Sequence, residues 1–444
     1  MSAKLRVTTL GCKVNQYETE LVRQGLQRVG FEDCADDDQA DVCIVNTCTV
    51  TNQGDAKSRQ VIRRMARDNP DARIVVMGCY ATRAPEEVAK LPGVAEVVTD
   101  KRELPDLMSR FGVVDVPTGL DGFSGRHRAY VKVQDGCLLR CSYCIIPHVR
   151  PKLTSRPVEH IVDEVRRLTD AGHREVVLTG IHLGHYGVDW NRNKPREQWT
   201  RLSDLVRRLC ELPGDFRIRL SSIEATEVTR SLIAAMTEYP DRLVPHIHLC
   251  LQSGSDSVLR RMRRRWGTRM FLDRCRMLDN ALNKPAITTD IIVGFPGETD
   301  AEFEQTLKTC RSAGFSKIHA FPFSARRGTP AADMPNQLPG DLKNERVHQL
   351  GQLESELRRD YFDSLVGEDV QVLVESRQKF ATLGVKSTPG TSISGQSTSG
   401  QLLRGTSCRY APVEWVTHNP KLGKGSLVTA EVIDSNDDRL VVQA

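Results

Sequence analysis

The sequence predicts an α/β protein built from a small N-terminal parallel α/β domain, a central partial (β/α)6 barrel and a C-terminal all-β barrel. Three observations carry that reading. Apolar strands alternate with amphipathic helices from Leu5 to about Leu107, the alternation resumes at Tyr130, and the stretch after Leu365 shows strand-like runs with no helical period. A chain of 444 residues has room for two to four such units, at roughly 100–200 residues each.

In the first domain, residues 1–110, strands are expected at Leu5–Leu10, Asp41–Asn46 and Ala72–Gly78, and helices at Asn15–Val29, Asp55–Arg67 and Ala84–Leu91. Alternation at this spacing makes a mostly parallel sheet with helices packed on it. Residues 111–127 hold Gly and Pro without periodicity and read as a linker. The central domain, residues 128–365, has strand candidates at Ala129–Gln134, Glu175–Thr179, Arg217–Ser221, His246–Leu251, Thr288–Val293 and Lys317–Phe323. Between the first two, Val158, Ile161, Val162, Val165 and Leu168 recur at helical spacing. Six strand–helix units make a barrel short of eight strands, open on one side, with its active site at the carboxyl ends of the strands. A polar helix over Asp341–Leu365 closes the domain. In the last unit, residues 366–444, Val370–Val374, Leu427–Ile433 and Arg439–Val442 read as strands, and the Ser/Thr/Gly-rich stretch Ser387–Ser407 as a loop.

Composition narrows the class. Charged residues make up 27% of the chain and mean hydropathy is −0.38. No run of about 18 apolar residues offers a membrane span. The start, Met1-Ser2-Ala3-Lys4-Leu5-Arg6-Val7, lacks the apolar core of a secretory signal. A net charge of +5 neither demands nor excludes a nucleic-acid partner. The 13 cysteines, odd in number in a long chain, argue against a secreted disulfide scaffold and for a reducing cytoplasm.

Buried cysteine is commonly a small core residue, but two groups here stand where packing would not put them. The first is Gly136-Cys137-Leu138-Leu139-Arg140-Cys141-Ser142-Tyr143-Cys144, directly after the first barrel strand and so at the active-site edge. Three thiolates on one short loop suit an iron–sulfur cluster with one iron left open for chemistry. A zinc knuckle with His148 as fourth ligand, or buried thiols, are the alternatives. The second group is dispersed: Cys12, Cys48 and Cys79 each fall one or two residues past an N-domain strand. That carboxyl edge is where open sheets bind ligands, although three core thiols remain the plain alternative. Cys34, Cys43, Cys210, Cys250, Cys275, Cys310 and Cys408 are expected to pack.

Other candidates follow from position. Thr179-Gly180-Ile181, Ser221-Ser222-Ile223-Glu224, Gln252-Ser253-Gly254 and Asp290 stand at barrel strand ends, which makes Gly180, Ser222, Glu224, Gln252 and Asp290 candidate cofactor contacts. Arg260-Arg261-Met262-Arg263-Arg264-Arg265-Trp266 is the densest basic run. It reads as a solvated face or, with an RNA substrate, as phosphate contacts beside a Trp that stacks a base. Lys57, Arg59, Arg63, Arg64 and Arg67 make a similar helical face.

The cysteine spacing of Cys137–Cys144, with an aromatic before the third cysteine, resembles the radical S-adenosylmethionine superfamily. The segments Thr9–Glu20, Asn46–Thr51 and Gly78-Cys79-Tyr80 resemble the methylthiotransferases of that superfamily, over essentially the whole chain, with a C-terminal TRAM-like domain. Within them, Leu10-Gly11-Cys12-Lys13-Val14-Asn15, Tyr17-Glu18-Thr19-Glu20 and Ser58–Arg64 resemble the branch that modifies threonylcarbamoyladenosine in tRNA. The resemblance implies a [4Fe–4S] cluster on Cys137, Cys141 and Cys144 that binds S-adenosylmethionine and cleaves it to a deoxyadenosyl radical, with Tyr143 beside the cofactor. It implies a second [4Fe–4S] cluster on Cys12, Cys48 and Cys79 that donates sulfur. The reaction implied adds a methylthio group to carbon-2 of N6-threonylcarbamoyladenosine at position 37 of tRNA.

With that substrate, RNA contacts are expected at Arg63, Arg64, Arg260, Arg261, Arg263, Arg264 and Tyr410, the last within the TRAM-like segment Arg404–Val413. An electron donor such as flavodoxin or ferredoxin, a monomeric state and a cytoplasmic location without membrane contact complete the expectation. Both cysteine sets must serve one substrate, so the N-domain sheet edge is expected to cap the barrel mouth. One departure stands out: Arg150-Pro151 replaces the family's usual Arg-Gly, and Pro restricts φ where Gly would not. The competing readings are methylthiolation of isopentenyladenosine in tRNA or of a ribosomal protein, and a non-catalytic iron–sulfur RNA-binding protein.

Overall fold

A computed structural model describes residues 2–35, 38–381 and 399–444. The N-terminal sheet contains β1 (Lys4–Thr9), β2 (Glu32–Asp33), β3 (Val42–Thr47), β4 (Arg73–Gly78) and β5 (Val94–Val97), ordered β2-β1-β3-β4-β5 and parallel throughout. Central β3 is buried along its whole length, as a parallel strand covered on both faces must be. The helices α1 (Lys13–Arg28) and α2 (Asn52–Asp68) follow β1 and β3. Thr51 caps α2 by accepting the Gly54 N–H at 3.0 Å, and α2 buries Val61, Ile62 and Met65 against the sheet.

The central unit contains β6 (Arg128–Asp135), β7 (Thr154–Ser155), β8 (Glu175–Gly180), β9 (Arg217–Leu220), β10 (His246–His248), β11 (Ala286–Val293) and β12 (Lys317–Pro322). Parallel ladders join β6–β8–β9 and β10–β11–β12. Isolated parallel bridges, Ile218 to Leu243 and Ile223 to Leu249, connect the halves. Among the described residues no ladder joins β12 to β6, so the six-stranded barrel is open as expected. The short β7 pairs antiparallel with the end of β6. Residues 111–127 contain no regular element, but Leu120 and Phe123 are buried in the barrel core.

The last five strands, β13 (Asp369–Ala381), β14 (Ser399–Ser407), β15 (Pro412–Thr417), β16 (Leu427–Ser435) and β17 (Leu440–Gln443), close into a barrel ordered β13-β14-β15-β17-β16. Here the sequence reading is corrected. Residues 399–407, expected as loop, form β14, which pairs with β13 on one side and β15 on the other; residues 387–398 of that stretch lie outside the described residues. Ser, Gly and Gln give β14 little strand propensity, and barrel closure supplies what propensity does not. This barrel sits under the amino ends of β6, β8 and β9. Arg217 donates to the carbonyls of Gln371 (2.7 Å) and Thr406 (2.9 Å), and Arg219 to those of Ser407 and Cys408 (both 3.0 Å). Buried Glu175 accepts from both guanidinium groups. Among the described residues no helix is long and apolar enough to cross a membrane.

Candidate active site

The chain leaves β6 at Asp135 and runs at once into the loop bearing Cys137, Cys141 and Cys144. Ser142 pins that loop: its hydroxyl donates to the Arg261 carbonyl at 2.7 Å and its N–H to that of Met262 at 3.0 Å. The three cysteines line one cavity of about 220 Å³ together with Tyr143, His182, Ser222, Glu224, Cys250, Gln252 and Arg264. Burial pushes the Cys144 thiol up to about 12 and also raises Cys141, against the opposing charge of Arg264. Arg264 pairs with Glu224 at 2.8 Å and reaches the Cys141 sulfur at 3.5 Å. His182 Nδ1 lies 3.6 Å from the Cys137 sulfur and Nε2 lies 2.7 Å from Glu227. Burial alone would lower His182, but those two hydrogen bonds override it and raise the imidazole to about 10. His185, stacked on His182 at 3.6 Å, is pushed down to about 4 by burial and by that neighbouring charge.

This donor set fits an iron–sulfur cluster. Three converging soft sulfur ligands suit iron. Arg264 Nε and Nη2 are buried without a protein partner, and a buried donor left unpaired is costly unless a ligand group meets it.

The N-domain cysteines converge at the carboxyl edge of their sheet. Cys12 precedes α1, Cys48 follows β3, and Cys79 opens the short helix Cys79–Arg83 after β4. Gly78, at φ +105°, makes the turn into Cys79; a Cβ there would lie 2.3 Å from the Thr47 amide nitrogen. Cys12 is open at its surface yet crowded by protein, which raises its thiol; burial raises Cys48 likewise, reinforced by Cys79 and Cys12. Cys43 is buried in β3, as expected.

One residue links the two sets. Arg150 accepts the Cys137 N–H at its carbonyl (3.3 Å) and places its guanidinium against the Cys79 sulfur (3.5 Å). The same buried guanidinium donates to Glu18 (2.8 and 2.9 Å), Asp135 (2.8 and 2.9 Å) and Asn15 (3.0 Å). Lys132 also pairs with Glu18 and Asp135. Cys79 packs with Ile145, Ile146 and Val149, just beyond Cys144. Arg326, after β12, reaches Thr49, Asn52 and Asp55 of the N-domain. The cysteine-bearing edge of the N-terminal sheet therefore sits on the barrel mouth. A cavity of about 620 Å³ at this junction is lined by Glu18, Lys101, Asp135, Arg150 and Pro151. A second, of about 590 Å³, runs from Cys141 and Cys144 past Arg140, His148 and Arg263.

Of the other candidates, Tyr143, Ser222, Glu224 and Gln252 line the cysteine cavity. Gly180 packs against Gln134, and Asp290 pairs with His248 at 3.3 Å beside His319. Cys250, expected only to pack, reaches the cavity wall. The basic run needs correction. Arg261 is fixed on both oxygens of Glu302 (2.9 and 2.8 Å), Arg264 lies inside, and Trp266 is 5% exposed with its N–H directed at Glu224. Neither Arg264 nor Trp266 is placed to meet RNA; Arg260, Arg263 and Arg265 are exposed. Tyr410 is 38% exposed, but its ring stacks on His246 at the junction of the two barrels, under Arg128 and Arg219. On α2, Lys57, Arg63, Arg64 and Arg67 face solvent, while Arg59 donates to the Tyr80 hydroxyl. The sequence reading assigns no role to Glu18, Asp135, His182 and Glu227; Glu18 pairs with Arg150, 132 residues away, and His182 with Glu227, 45 residues away.

Comparison with known proteins agrees with this architecture. Residues 4–100 match the uncharacterized protein family UPF0004, and residues 131–310 match the radical SAM superfamily, whose members work with a [4Fe–4S] cluster and S-adenosylmethionine. The threonylcarbamoyladenosine tRNA methylthiotransferase MtaB of Bacillus subtilis (strain 168) is 43% identical over 84% of each chain. The protein of the same name from Chlamydia pneumoniae is 39% identical over 83% of this chain and 86% of its own. Among solved structures, the radical S-adenosylmethionine methyltransferase TsrM of Kitasatospora setae shares the fold, with a TM-score of 0.53 and 14% identity over 74% of this chain and 77% of its own. The chain belongs to the radical S-adenosylmethionine methylthiotransferases, in the branch of the threonylcarbamoyladenosine tRNA methylthiotransferases.

Proposed function

We propose that this protein adds a methylthio group to carbon-2 of N6-threonylcarbamoyladenosine at position 37 of tRNA, using a [4Fe–4S] cluster on Cys137, Cys141 and Cys144 and a second on Cys12, Cys48 and Cys79. The observation that carries the reading is Arg150, which holds the second cysteine set against the mouth of the barrel that carries the first. The bound cofactors supply what no side chain can: one-electron chemistry able to break an aromatic C–H bond, and a sulfur donor.

The residues around them bind and orient. Arg264 and Glu224, with Ser222 and Gln252, present charged and polar groups to the cavity where the amino-acid end of S-adenosylmethionine would lie. Tyr143 lines the same cavity beside the cysteines. The N-domain on the mouth restricts water, and the opening past Arg140, His148 and Arg263 gives a nucleotide a basic way in. Arg260, Arg263 and Arg265, with Arg63 and Arg64 on α2, meet phosphates. The protein acts as a cytoplasmic monomer, reduced by a flavodoxin or ferredoxin.

Mass spectrometry of nucleosides from a deletion strain tests the reading. The methylthio derivative of threonylcarbamoyladenosine disappears from tRNA, the unmodified nucleoside accumulates, and a plasmid copy restores it. Unchanged levels in the deletion strain would sink the proposal.

A further inference from the structure

His182 and Glu227 have no part in the scheme above, yet they form a built arrangement on one cysteine of the barrel loop. His182 is 6% exposed as a residue. Its backbone N–H donates to Gln134 Oε1 at 2.8 Å, its ring stacks on His185 within 14° of parallel, and Nε2 is 2.7 Å from Glu227 Oε1. Glu227 is itself fixed, its second oxygen accepting the Glu224 N–H at 2.8 Å. Gly184 makes room for that carboxylate: a Cβ there would lie 2.3 Å from Glu227 Cγ. A carboxylate only accepts, so Nε2 carries a hydrogen toward Glu227. Nδ1 faces the Cys137 sulfur at 3.6 Å, and a thiolate is also an acceptor, so the imidazolium, with a hydrogen on each ring nitrogen, is the form that satisfies both neighbours.

We infer that His182, held by Glu227, is a positioning residue that donates a hydrogen bond to the Cys137 sulfur and raises the reduction potential of the cluster on Cys137, Cys141 and Cys144. Hydrogen bonds to ligand sulfurs favour the more electron-rich, reduced cluster and are a principal means by which a protein sets its potential. Arg264 makes a comparable contact with Cys141, backed by Glu224. Two sulfurs of the loop thus face a donor that a carboxylate anchors. The inference rests on the assignment of Cys137 as a ligand.

The test uses the full chain with Cys12, Cys48 and Cys79 changed to Ala, so that one cluster is read. This parent and its His182→Leu, His182→Asn and Glu227→Gln derivatives are reconstituted anaerobically and assayed for iron and sulfide. Each is then titrated for its midpoint potential by electron paramagnetic resonance. His182→Leu is expected to lower the ratio of reduced to oxidised cluster about tenfold at the parent's midpoint, a shift of about 59 mV for one electron. His182→Asn keeps an N–H near the Nδ1 position and recovers much of the shift, and Glu227→Gln falls on the same side as Leu. Equal midpoints at equal iron content would overturn the inference and leave the proposed function standing. Loss of the cluster from His182→Asn as well as His182→Leu would overturn it too, by making the imidazole a support for the loop. A parent that binds no iron would overturn both this inference and the ligand assignment.

Discussion

At the scale of single residues, Arg150 is the position on which the site depends most. Its guanidinium is buried among Glu18, Asp135 and Asn15, and a buried charge that loses its partner is expensive. Burial works against ionisation of Glu18, yet Arg150, Lys132 and Lys101 hold its carboxyl well below the usual range. Arg150→Met is therefore expected to cost about 3–5 kcal/mol in denaturant unfolding, with Arg150→Lys intermediate because lysine keeps the charge but not the fork. A loss under about 1 kcal/mol, on that same scale, would contradict the account. In the sequence Arg150 stands out only for the proline after it; nothing local announces a partner 135 residues away at Asn15. The basic run shows the converse. Its charges are plain in the sequence, but Arg263 adopts φ +59° and turns the chain inward, which puts Arg264 and Trp266 inside. Changing Arg260, Arg263 and Arg265 together to Ala should weaken tRNA binding and reduce the salt slope by about one for each phosphate no longer neutralised. Arg264→Ala should instead impair S-adenosylmethionine cleavage with tRNA binding intact, which filter binding and deoxyadenosine assays separate.

At the scale of elements, the strand ends do the organising. The strands before Cys12, Cys48, Cys79 and Cys137 are legible in the sequence because apolar runs and following helices repeat. So are all six barrel strands, within a few residues. The short β2, β5 and β7 escape because they are too short to show a period, and β14 because sheet neighbours rather than propensity make it a strand; β15, rich in Val and Trp, escapes despite its propensity. The opposite end of the barrel rests on Glu175 at the start of β8. Burial would raise its carboxyl, but Arg219, Arg217 and Arg128 hold it well below its ordinary 4.5. A carboxylate depressed on folding stabilises fully above that ordinary value and loses its contribution as pH falls below it. The wild-type Tm should thus drop between about pH 5 and pH 3, as expected for lowered carboxylates. Glu175→Gln should melt lower at neutral pH, by about 3 kcal/mol or more in stability, and show a flatter acid limb. Parallel acid limbs for the two proteins would remove Glu175 from this role.

At the scale of the whole molecule, the central barrel is held at both ends. The N-terminal sheet edge lies on the carboxyl mouth of the barrel, and the C-terminal barrel lies under the amino ends of β6, β8 and β9. The capping arrangement follows from the need to bring two cysteine sets to one substrate; the means, one arginine whose carbonyl holds Cys137 and whose guanidinium meets Cys79, does not. Near-neutral overall charge is consistent with this plan, since clusters of exposed basic groups stand on α2 and at the turn at Arg263. The central claim is that the two cysteine sets hold separate clusters with separate duties. It is tested most directly by anaerobic reconstitution of the wild type and of the chain with Cys12, Cys48 and Cys79 changed to Ala, followed by incubation with S-adenosylmethionine, a reductant and tRNA from the deletion strain. The account predicts about eight irons in the wild type and about four in the variant, with deoxyadenosine formed by both and methylthio nucleoside by the wild type alone. Eight irons in the variant, or product at the wild-type level, would contradict it.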